Sequence, residues 1–357
     1  MTSEPSNSYP KLVVRGNATN AFQQTVESLH SSASDLYQFR LGLLSDDITK
    51  RYKEPGFSWD SVWEIHKQAT PLAALESEVF AAKFGLHPGQ WLAYSGLSDW
   101  MDYNYVFQPS DLGCSTVLLP SELSPEVSAL QTWDLHAFVE QHSLILERHF
   151  EEYCSALTLT TSMGHAHFGL NEAGVFVGTN NLACKYPKMG VTFAAAIMHV
   201  LHHAQHANEG ATILSQLPLM SGHNYIVCDS LGTVLNVEQA TTGVVVTEVN
   251  QEHFVHTNHY IASKLKESGW DYSPSSPHRY NVLQNYGEYA SFMDGAPLQS
   301  AKVLFSDHTA ALCRHPENEK DTATCALLGF LPRESKLAVL KGRPCEGEWT
   351  FYALESD

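Results

Sequence analysis

Residues 113–120 read GCSTVLLP, and at this stretch the character of the chain changes. Before it, apolar residues recur at helical spacing, for instance between Phe22 and Leu44, which predicts that about the first 110 residues are mainly helical. After it come short segments that are rich in β-formers and separated by turns. The stretch therefore opens the strand-rich part of the chain with a thiol, that of Cys114, at the start of the first predicted strand.

The segments that follow form blocks of strands and helices. Strand-like segments extend to about residue 180, a helical block covers 190–217, and strands resume over 223–249. Helices are predicted near 277–293 and 298–305, and further strands close the chain. Blocks of strands separated by helices predict an α+β fold of two antiparallel sheets covered by helices.

Composition and charge restrict the partners that the chain could bind. It has 357 residues, of which 43% are hydrophobic, and 39 acidic residues outnumber 21 basic ones. A formal net charge of −18 repels phosphate backbones and anionic lipid, so no nucleic acid or membrane partner is expected. The polar N-terminus MTSEPSNSYP lacks the features of a signal peptide, and the seven cysteines form no CxxC pair. These features predict a cytoplasmic protein with reduced thiols.

The thiol of Cys114 needs a base, because a cysteine with a pKa of about 8.5 is mostly protonated near neutral pH. Its own α-amino group becomes such a base if the peptide bond before Cys114 is cut. Attack of the thiol on the Gly113 carbonyl would give a thioester, and hydrolysis of the thioester would free the amine. Glycine suits this step because it tolerates strained backbone angles. A Gly-Cys pair before a strand is, however, more often a turn followed by a buried, inert cysteine.

Further motifs favour the reactive interpretation. In order and spacing, GCSTVLLP, TWDLH, NEAGVFVGTNNL, VHTNHY and ALCRHPE resemble the family of acyl-coenzyme A:6-aminopenicillanic acid acyltransferase (isopenicillin N acyltransferase), which also includes β-alanyl-dopamine (carcinine) hydrolase. The resemblance runs from about Ala73 to the C-terminus. It implies a cysteine N-terminal-nucleophile (Ntn) hydrolase with four layers, αββα.

The resemblance also implies that the chain cuts itself between Gly113 and Cys114. The mature protein would then consist of a helical small subunit, residues 1–113, and a large subunit with the catalytic αββα part, residues 114–357. The two self-cleaved fragments would stay tightly associated as one structural unit, because the sheets need both.

The same resemblance assigns roles to individual residues. Cys114 would be both the self-cleaving residue and the later nucleophile, and Asp134 would orient its α-amine. Asn258 and Asn180 would donate amide N–H groups to the oxyanion of the transition state. Arg314 would place a fixed cation near the thiol.

Three further residues are candidates for contact with the substrate. Ser115 and Thr116 directly follow the nucleophile, and His256 lies in the VHTNHY motif. His256 also allows a different mechanism, a papain-like triad with Cys114 and Asn258 that needs no chain cleavage.

Four histidines of the helical block lie at i, i+4 spacings that can hold a metal. They are His199, His202, His203 and His206. The block contains no HExxH arrangement, so a solvated helix face is the favoured interpretation, and no metal site is expected.

We therefore expect an amidohydrolase that cleaves a small N-acyl or aminoacyl amide through an acyl-thioester on Cys114, without a metal or an organic cofactor. Three alternatives stay open. These are an acyltransferase that passes the acyl group to an amine acceptor, a papain-like uncleaved hydrolase, and a non-catalytic relative that only binds small amides.

Overall fold

The computed structural model describes residues 7–43, 57–104, 113–270, 275–286 and 296–355. Within these ranges the helices are α1 (Ala18–Leu43), α2 (Trp59–Ala69), α3 (Pro71–Phe84), α4 (Pro88–Ser95), α5 (Leu97–Tyr103), α6 (Ala137–Glu140), α7 (Phe193–His203), α8 (Ala207–Gln216), α9 (Ser275–Gln284) and α10 (Pro297–Phe305). The strands are β1 (Lys11–Gly16), β2 (Thr116–Leu118), β3 (Ala129–His136), β4 (Ser143–Phe150), β5 (Ala156–Thr161), β6 (Gly164–Asn171), β7 (Val175–Leu182), β8 (Gly222–Asp229), β9 (Val234–Ala240), β10 (Gly243–Glu248), β11 (Phe254–His256), β12 (Thr322–Leu331), β13 (Lys336–Lys341) and β14 (Trp349–Tyr352).

The strands form two sheets. The first has eight strands in the order β1-β4-β5-β6-β7-β8-β9-β10, and the second has six in the order β11-β2-β3-β12-β13-β14. Neighbouring strands are antiparallel except β1 and β4, which are parallel at one edge. The predicted antiparallel arrangement is thus confirmed apart from this pair. A long crossover through helices separates β1 from β4, and such a connection permits parallel pairing where a hairpin does not.

The two sheets pack face to face, and helices cover both outer faces. The rings of Phe176 in β7 and Phe330 in β12 stack with their centroids 5.1 Å apart, and Gln131 in β3 donates to the Thr179 carbonyl of β7. Helices α7 and α8 pack on the eight-stranded sheet, and α10 packs on the six-stranded sheet. The predicted four-layer αββα arrangement is therefore confirmed.

The N-terminal segment is mainly helical, as predicted, and it also supplies a strand that the sequence did not indicate. Strand β1 pairs with β4 over its whole length, and α1 packs beside it with Phe22 and Val26 buried. The described part of this segment thus shares a core with the rest of the chain. The division into fragments 1–113 and 114–357 stays a prediction.

The helical block is observed as α7 and α8, but its histidines do not form one solvated face. His202 is only 2% exposed, and its Nδ1 lies 2.6 Å from the Cys154 carbonyl oxygen. His206 instead caps α8, because its side chain accepts a hydrogen bond from the Glu209 amide. The prediction of a solvated face is wrong for His202, whose ring packs against that of Phe150 at 4.8 Å.

The late helices agree with the prediction where they are described. Helix α10 corresponds to the predicted segment 298–305, and α9 corresponds to the first part of 277–293. Residues 287–293 of that prediction lie outside the described residues. Within the described ranges, every helix is too short or too polar to cross a membrane.

Candidate active site

Cys114 lies directly before β2, where the chain enters the six-stranded sheet. Gly113 forms a bridge with Asp134 on β3: its N–H donates to the Asp134 carbonyl at 3.2 Å, and the Asp134 N–H donates to the Gly113 carbonyl at 2.9 Å. A Cβ added at position 113 would lie 3.0 Å from Asp134 Oδ2 and 3.3 Å from Arg279 Nη2. Glycine is thus the residue that fits here without a shift of its neighbours.

The Cys114 peptide unit is bound from both sides. Its N–H donates to Asn258 Oδ1 at 3.0 Å, and its carbonyl accepts from Arg279 Nη1 at 2.8 Å. Burial, and then the charge of Asp134, raises the pKa of the thiol to about 12. In the uncut chain the thiol is therefore protonated near neutral pH, and it needs a base to become a nucleophile.

The Asp134 carboxyl group is buried beside this peptide unit. The Thr324 hydroxyl on the paired strand β12 is a side-chain hydrogen-bond partner of this carboxyl, and the remaining acceptor positions of its two oxygens are free. Burial raises its pKa to about 6, against the lowering effects of Arg314 and then Arg279. Arg314 Nε lies 3.7 Å from Asp134 Oδ2. A buried carboxyl with free acceptor positions can hold an ammonium group that is formed next to it.

Arg279 on α9 is a residue of the site that the sequence did not indicate. It is 1% exposed, its Nη1 donates to the Cys114 carbonyl and to Ser115 Oγ, and its Nη2 donates to Asn258 Oδ1. Burial lowers its pKa to about 10, so it stays charged near neutral pH. The local sequence SSPHRYN has no feature that distinguishes this arginine from one on the surface.

Asn258 connects the nucleophile to β7. Its Oδ1 accepts from the Cys114 N–H and from Arg279, which fixes the orientation of its amide. Its Nδ2 donates to the Asn181 carbonyl at 3.0 Å. Because an amide nitrogen carries two hydrogens, Nδ2 has a second one beyond this bond.

The two neighbouring asparagines of β7 have different surroundings, as consecutive strand residues do. Asn180 is fully buried, and its Oδ1 accepts from the Thr116 hydroxyl at 3.0 Å. Asn181 lines the cavity at Cys114, and its buried Oδ1 makes no hydrogen bond with a described residue. Asn181 was not among the predicted site residues, although the motif TNN contains it.

None of the three predicted substrate contacts lines the described cavity at Cys114. The Ser115 hydroxyl accepts from Arg279 at 2.7 Å, and the Thr116 hydroxyl donates to Asn180. His256 is fully buried, and its Nε2 lies 3.8 Å from a carboxyl oxygen of Glu238. A role for these side chains in substrate binding stays a prediction.

A cavity of about 70 Å³ adjoins Cys114. Much of its wall is apolar or aromatic, including Phe39, Leu97, Trp133, Val139, Phe168 and Phe193. Arg40 also lines it, with a buried guanidinium that donates to the Tyr94 and Ser95 carbonyls. Such a cavity suits a small acyl group with an apolar chain, whose carbonyl carbon reaches the Cys114 thiol.

The structure thus brings together the nucleophile and most of its predicted partners. Gly113, Cys114, Asp134 and Asn258 all line the cavity, and Arg314 approaches it through Asp134.

Residues 125–345 match the family model described as acyl-coenzyme A:6-aminopenicillanic acid acyl-transferase, over more than half of the 357 residues. The chain belongs to this family. The resemblance seen in the sequence is confirmed, and the chain is an Ntn-type hydrolase or acyltransferase that acts on amide bonds. Among curated proteins, no match was found.

The chain is also similar to several solved structures. A mutant of conjugated bile acid hydrolase from Clostridium perfringens has 12% identity and a TM-score of 0.41, with 68% of this chain and 97% of that chain covered. Penicillin V acylase from Agrobacterium tumefaciens has 13% identity and a TM-score of 0.38, with 63% and 82% covered. A Caenorhabditis elegans ortholog of N-acylethanolamine-hydrolyzing acid amidase has 15% identity and a TM-score of 0.40, with 62% and 93% covered.

Proposed function

We propose that the chain is a self-processing cysteine amidohydrolase, in which Cys114 first cuts its own chain and then acts as the nucleophile. The environment of the Gly113–Cys114 peptide bond carries this proposal. Its carbonyl accepts from the Asp134 N–H, its N–H donates to Asn258, and the buried Asp134 carboxyl lies beside it. Perturbed pKa values cluster at functional sites, so a buried carboxyl whose pKa is raised to about 6, beside the peptide bond to be cut, fits a functional role better than an inert turn.

The self-cleavage begins with attack of Cys114 Sγ on the Gly113 carbonyl carbon. The C–S bond forms, the C–N bond breaks, and the thiol proton ends on the released amine. Water then hydrolyses the thioester, which gives a carboxyl group on Gly113 and returns the thiol. The reaction consumes one water molecule and needs no oxidant, metal or cofactor.

The released α-amine of Cys114 supplies the base for catalysis. Its nitrogen already lies 3.0 Å from Asn258 Oδ1, and the Asp134 carboxyl can hold its protonated form. With an ordinary pKa of about 7.7–8.0, the amine can take the proton from the thiol and pass it to the leaving amine of the substrate. Water then hydrolyses the acyl-thioester.

Asparagine side chains at the cavity would hold the oxyanion. Asn258 Nδ2 has a second hydrogen, and the lining of the cavity favours Asn181 over Asn180 as its partner, since Asn181 lines the cavity and Asn180 does not. Backbone and amide donors of this kind stabilise the charge that develops on the carbonyl oxygen.

The cavity wall supports a small N-acyl amide as the substrate. Aromatic and aliphatic side chains favour an apolar acyl group. The buried guanidinium of Arg40 would repel the ammonium group of an aminoacyl amide, so N-acyl substrates are preferred over aminoacyl ones.

The papain-like alternative has less support. Among the described residues, no imidazole nitrogen makes a hydrogen bond with Cys114 Sγ. His256 Nδ1 instead lies 2.9 Å from the Thr257 carbonyl oxygen, and His256 does not line the cavity at Cys114.

A substrate panel with a covalent readout tests the proposed function. Purified protein is offered short N-acyl amines with apolar acyl groups and matched aminoacyl amides, each with and without an acceptor amine, and quenched samples are examined by peptide mass spectrometry. We expect hydrolysis of the N-acyl amides and an acyl adduct on Cys114, with both lost in Cys114→Ala and kept in the matched control Cys184→Ala. Product that appears only with the acceptor amine would indicate a transferase, and amide binding without turnover or adduct would indicate a binding protein.

A further inference from the structure

Four thiol and imidazole side chains gather at a place that the proposed chemistry does not use. His308, Cys313, His315 and Cys345 each offer one ligand atom, and these atoms all lie within 4.8 Å of one another. Cys313 is buried, while the other three are exposed. Two sulfurs and two imidazole nitrogens are a donor set that zinc prefers in structural sites.

The distances among Cys313, His315 and Cys345 fit three corners of a tetrahedral metal site, and the ligand atom of His308 lies within 4.8 Å of all three. Bonds of about 2.3 Å to sulfur and about 2.0–2.1 Å to nitrogen place two sulfurs about 3.8 Å apart, and sulfur and nitrogen about 3.5 Å apart. Cys313 Sγ lies 3.5 Å from Cys345 Sγ and 3.6 Å from His315 Nε2. His315 Nε2 lies 3.2 Å from Cys345 Sγ. Each separation is within a few tenths of an ångström of the tetrahedral value.

The surroundings of the cluster orient its ligands. The Nδ1 of His315, on the side of the ring away from the sulfurs, lies 3.6 Å from a carboxyl oxygen of Glu346. This separation is an ion-pair distance rather than a hydrogen bond, but a carboxylate is one of the partners that metal-bound histidines use on their second nitrogen. The Cys313 N–H donates to the Asp307 carbonyl at 3.1 Å, which holds the turn that carries this ligand.

We propose that His308, Cys313, His315 and Cys345 bind one Zn²⁺ ion as a closed structural site. Four protein ligands leave no open position for a substrate. Two thiolates balance the charge of the ion. The site ties the segment 308–315 to the turn that follows β13, about 30 residues further along the chain.

The proposed zinc site is connected to the active site by Arg314, which lies between the ligands Cys313 and His315 in the sequence. Arg314 Nε lies 3.7 Å from Asp134 Oδ2. An ion that fixes Cys313 and His315 also fixes the backbone that carries Arg314. The zinc ion is therefore a positioning element for Arg314 and takes no part in the reaction.

A disulfide between Cys313 and Cys345 is the competing use of the two sulfurs. It would form at a separation of about 2.05 Å, whereas the sulfurs lie 3.5 Å apart. A disulfide would also not explain why the imidazoles of His308 and His315 lie next to the two sulfurs.

Metal analysis of the full-length protein tests the proposal without reference to enzyme activity. Protein purified under reducing conditions without chelator, supplied with zinc and desalted, is expected to hold about one zinc ion per chain. Cys345→Ser and His308→Asn should lose the ion, while the matched controls Cys154→Ser and His203→Asn should keep it. Cobalt in place of zinc should give the visible absorption of a tetrahedral thiolate site.

Two further measurements separate a bound ion from a merely folded cluster. A chelator should lower the thermal midpoint of the wild type and leave that of Cys345→Ser unchanged. Glu346→Gln should weaken zinc binding about tenfold, whereas the nearby control Glu348→Gln should not. Wild-type protein that retains no zinc after desalting, or a Cys313–Cys345 disulfide in protein kept under reducing conditions, would overturn the proposal.

Discussion

The buried carboxyl group of Asp134, which we propose holds the α-amine of Cys114, lowers the stability of the folded chain when it is ionised. Its folded-state pKa of about 6, raised chiefly by burial, lies above the value of about 3.9 expected for an unfolded chain. Between pH values of about 3.9 and 6, the folded state binds more protons at Asp134 than the unfolded state does. The free energy of unfolding therefore falls as the pH rises through this range, and it stays lower above a pH of about 6. Two pKa units correspond to about 3 kcal/mol.

Replacing Asp134 by Asn should therefore stabilise the precursor. In a Cys114→Ala background, which keeps both chains uncut, we expect Asp134→Asn to raise the free energy of unfolding by about 3 kcal/mol at pH 8 and by little at pH 4. Urea denaturation at the two pH values measures the difference. If Asp134→Asn is no more stable than the Asp134 protein at pH 8, the ionised carboxylate does not destabilise the folded precursor, and the prediction is wrong.

The oxyanion assignment is also a statement about single residues. In processed enzyme, Asn181→Ala should lower kcat about 10²–10³-fold, because one donor to the oxyanion is lost. Asn180→Ala should act mainly on stability, because it removes the partner of the Thr116 hydroxyl. Steady-state kinetics of the two variants decide the matter. A larger kcat loss in Asn180→Ala would return the role to Asn180.

At the scale of elements, the alternation of side chains along a strand explains why the sequence alone could not decide between Asn180 and Asn181. Side chains on a strand alternate between faces, so a shift of one residue in an alignment exchanges what a side chain contacts. The motif TNN indicated β7, but the contact between Asn180 and Thr116 depends on a strand of the other sheet. Arg279 could not be predicted for a similar reason, because the partners that tie it to the nucleophile, Cys114, Ser115 and Asn258, come from distant segments.

Helix α3 is fixed to the eight-stranded sheet by a buried ionic network. Arg148 of β4 donates to Glu76 of α3 at 2.6 Å, and His165 Nδ1 of β6 lies 2.8 Å from the same carboxyl group. Burial would raise the pKa of Glu76, but Arg148 and then His165 lower it to about 2. The carboxylate is therefore charged at every physiological pH and needs its partners.

Removing one partner of this network should be costly. Arg148→Met would leave the Glu76 charge buried without its guanidinium, and we expect a loss of about 3–5 kcal/mol in the free energy of unfolding. The control is Arg15→Met, since Arg15 pairs with Glu355 at the surface and should cost less than about 1 kcal/mol. Equal losses in the two variants, measured by denaturant unfolding, would contradict this account of how α3 is held.

For the whole molecule, buried histidines set the response to acid. Burial lowers the pKa of His66 to about 4, and that of His202 to about 3, and it also lowers the pKa of His167. The unfolded chain takes up these protons near pH 6.5. Below that pH the unfolded state binds more protons, so stability falls as the pH falls from about 6.5 toward 4.

The loss should be about 1.4 kcal/mol per pH unit for each such histidine, and Asp134, whose pKa is raised on folding, offsets about one histidine's share between about pH 6 and 4. The free energy of unfolding, measured between pH 7 and 5, should therefore decrease as the pH falls. His202→Gln should make this decrease less steep, because it removes the contribution of one histidine. The exposed control His278→Gln should leave the slope unchanged. A stability that is flat over this range would mean that the three imidazoles are solvated or charged in the folded state.

The architecture of the whole molecule was largely predictable, and the site only in part. Blocks of strands and helices give the αββα layers because each block must bury one face. Strand β1 escaped prediction because a short strand of six residues at an edge carries little periodicity. The cluster of His308, Cys313, His315 and Cys345 escaped it because no spacing in the sequence unites residues that only the turns at 308–315 and after β13 bring together.

The intact mass of purified protein, with the N-terminal sequence of the largest species, tests the central claim most directly. We predict two species that elute together, a smaller one ending at Gly113 and a larger one beginning with Cys114, and a single species for Cys114→Ala. Wild-type protein that is fully active while residue 113 is still joined to residue 114 would contradict the account.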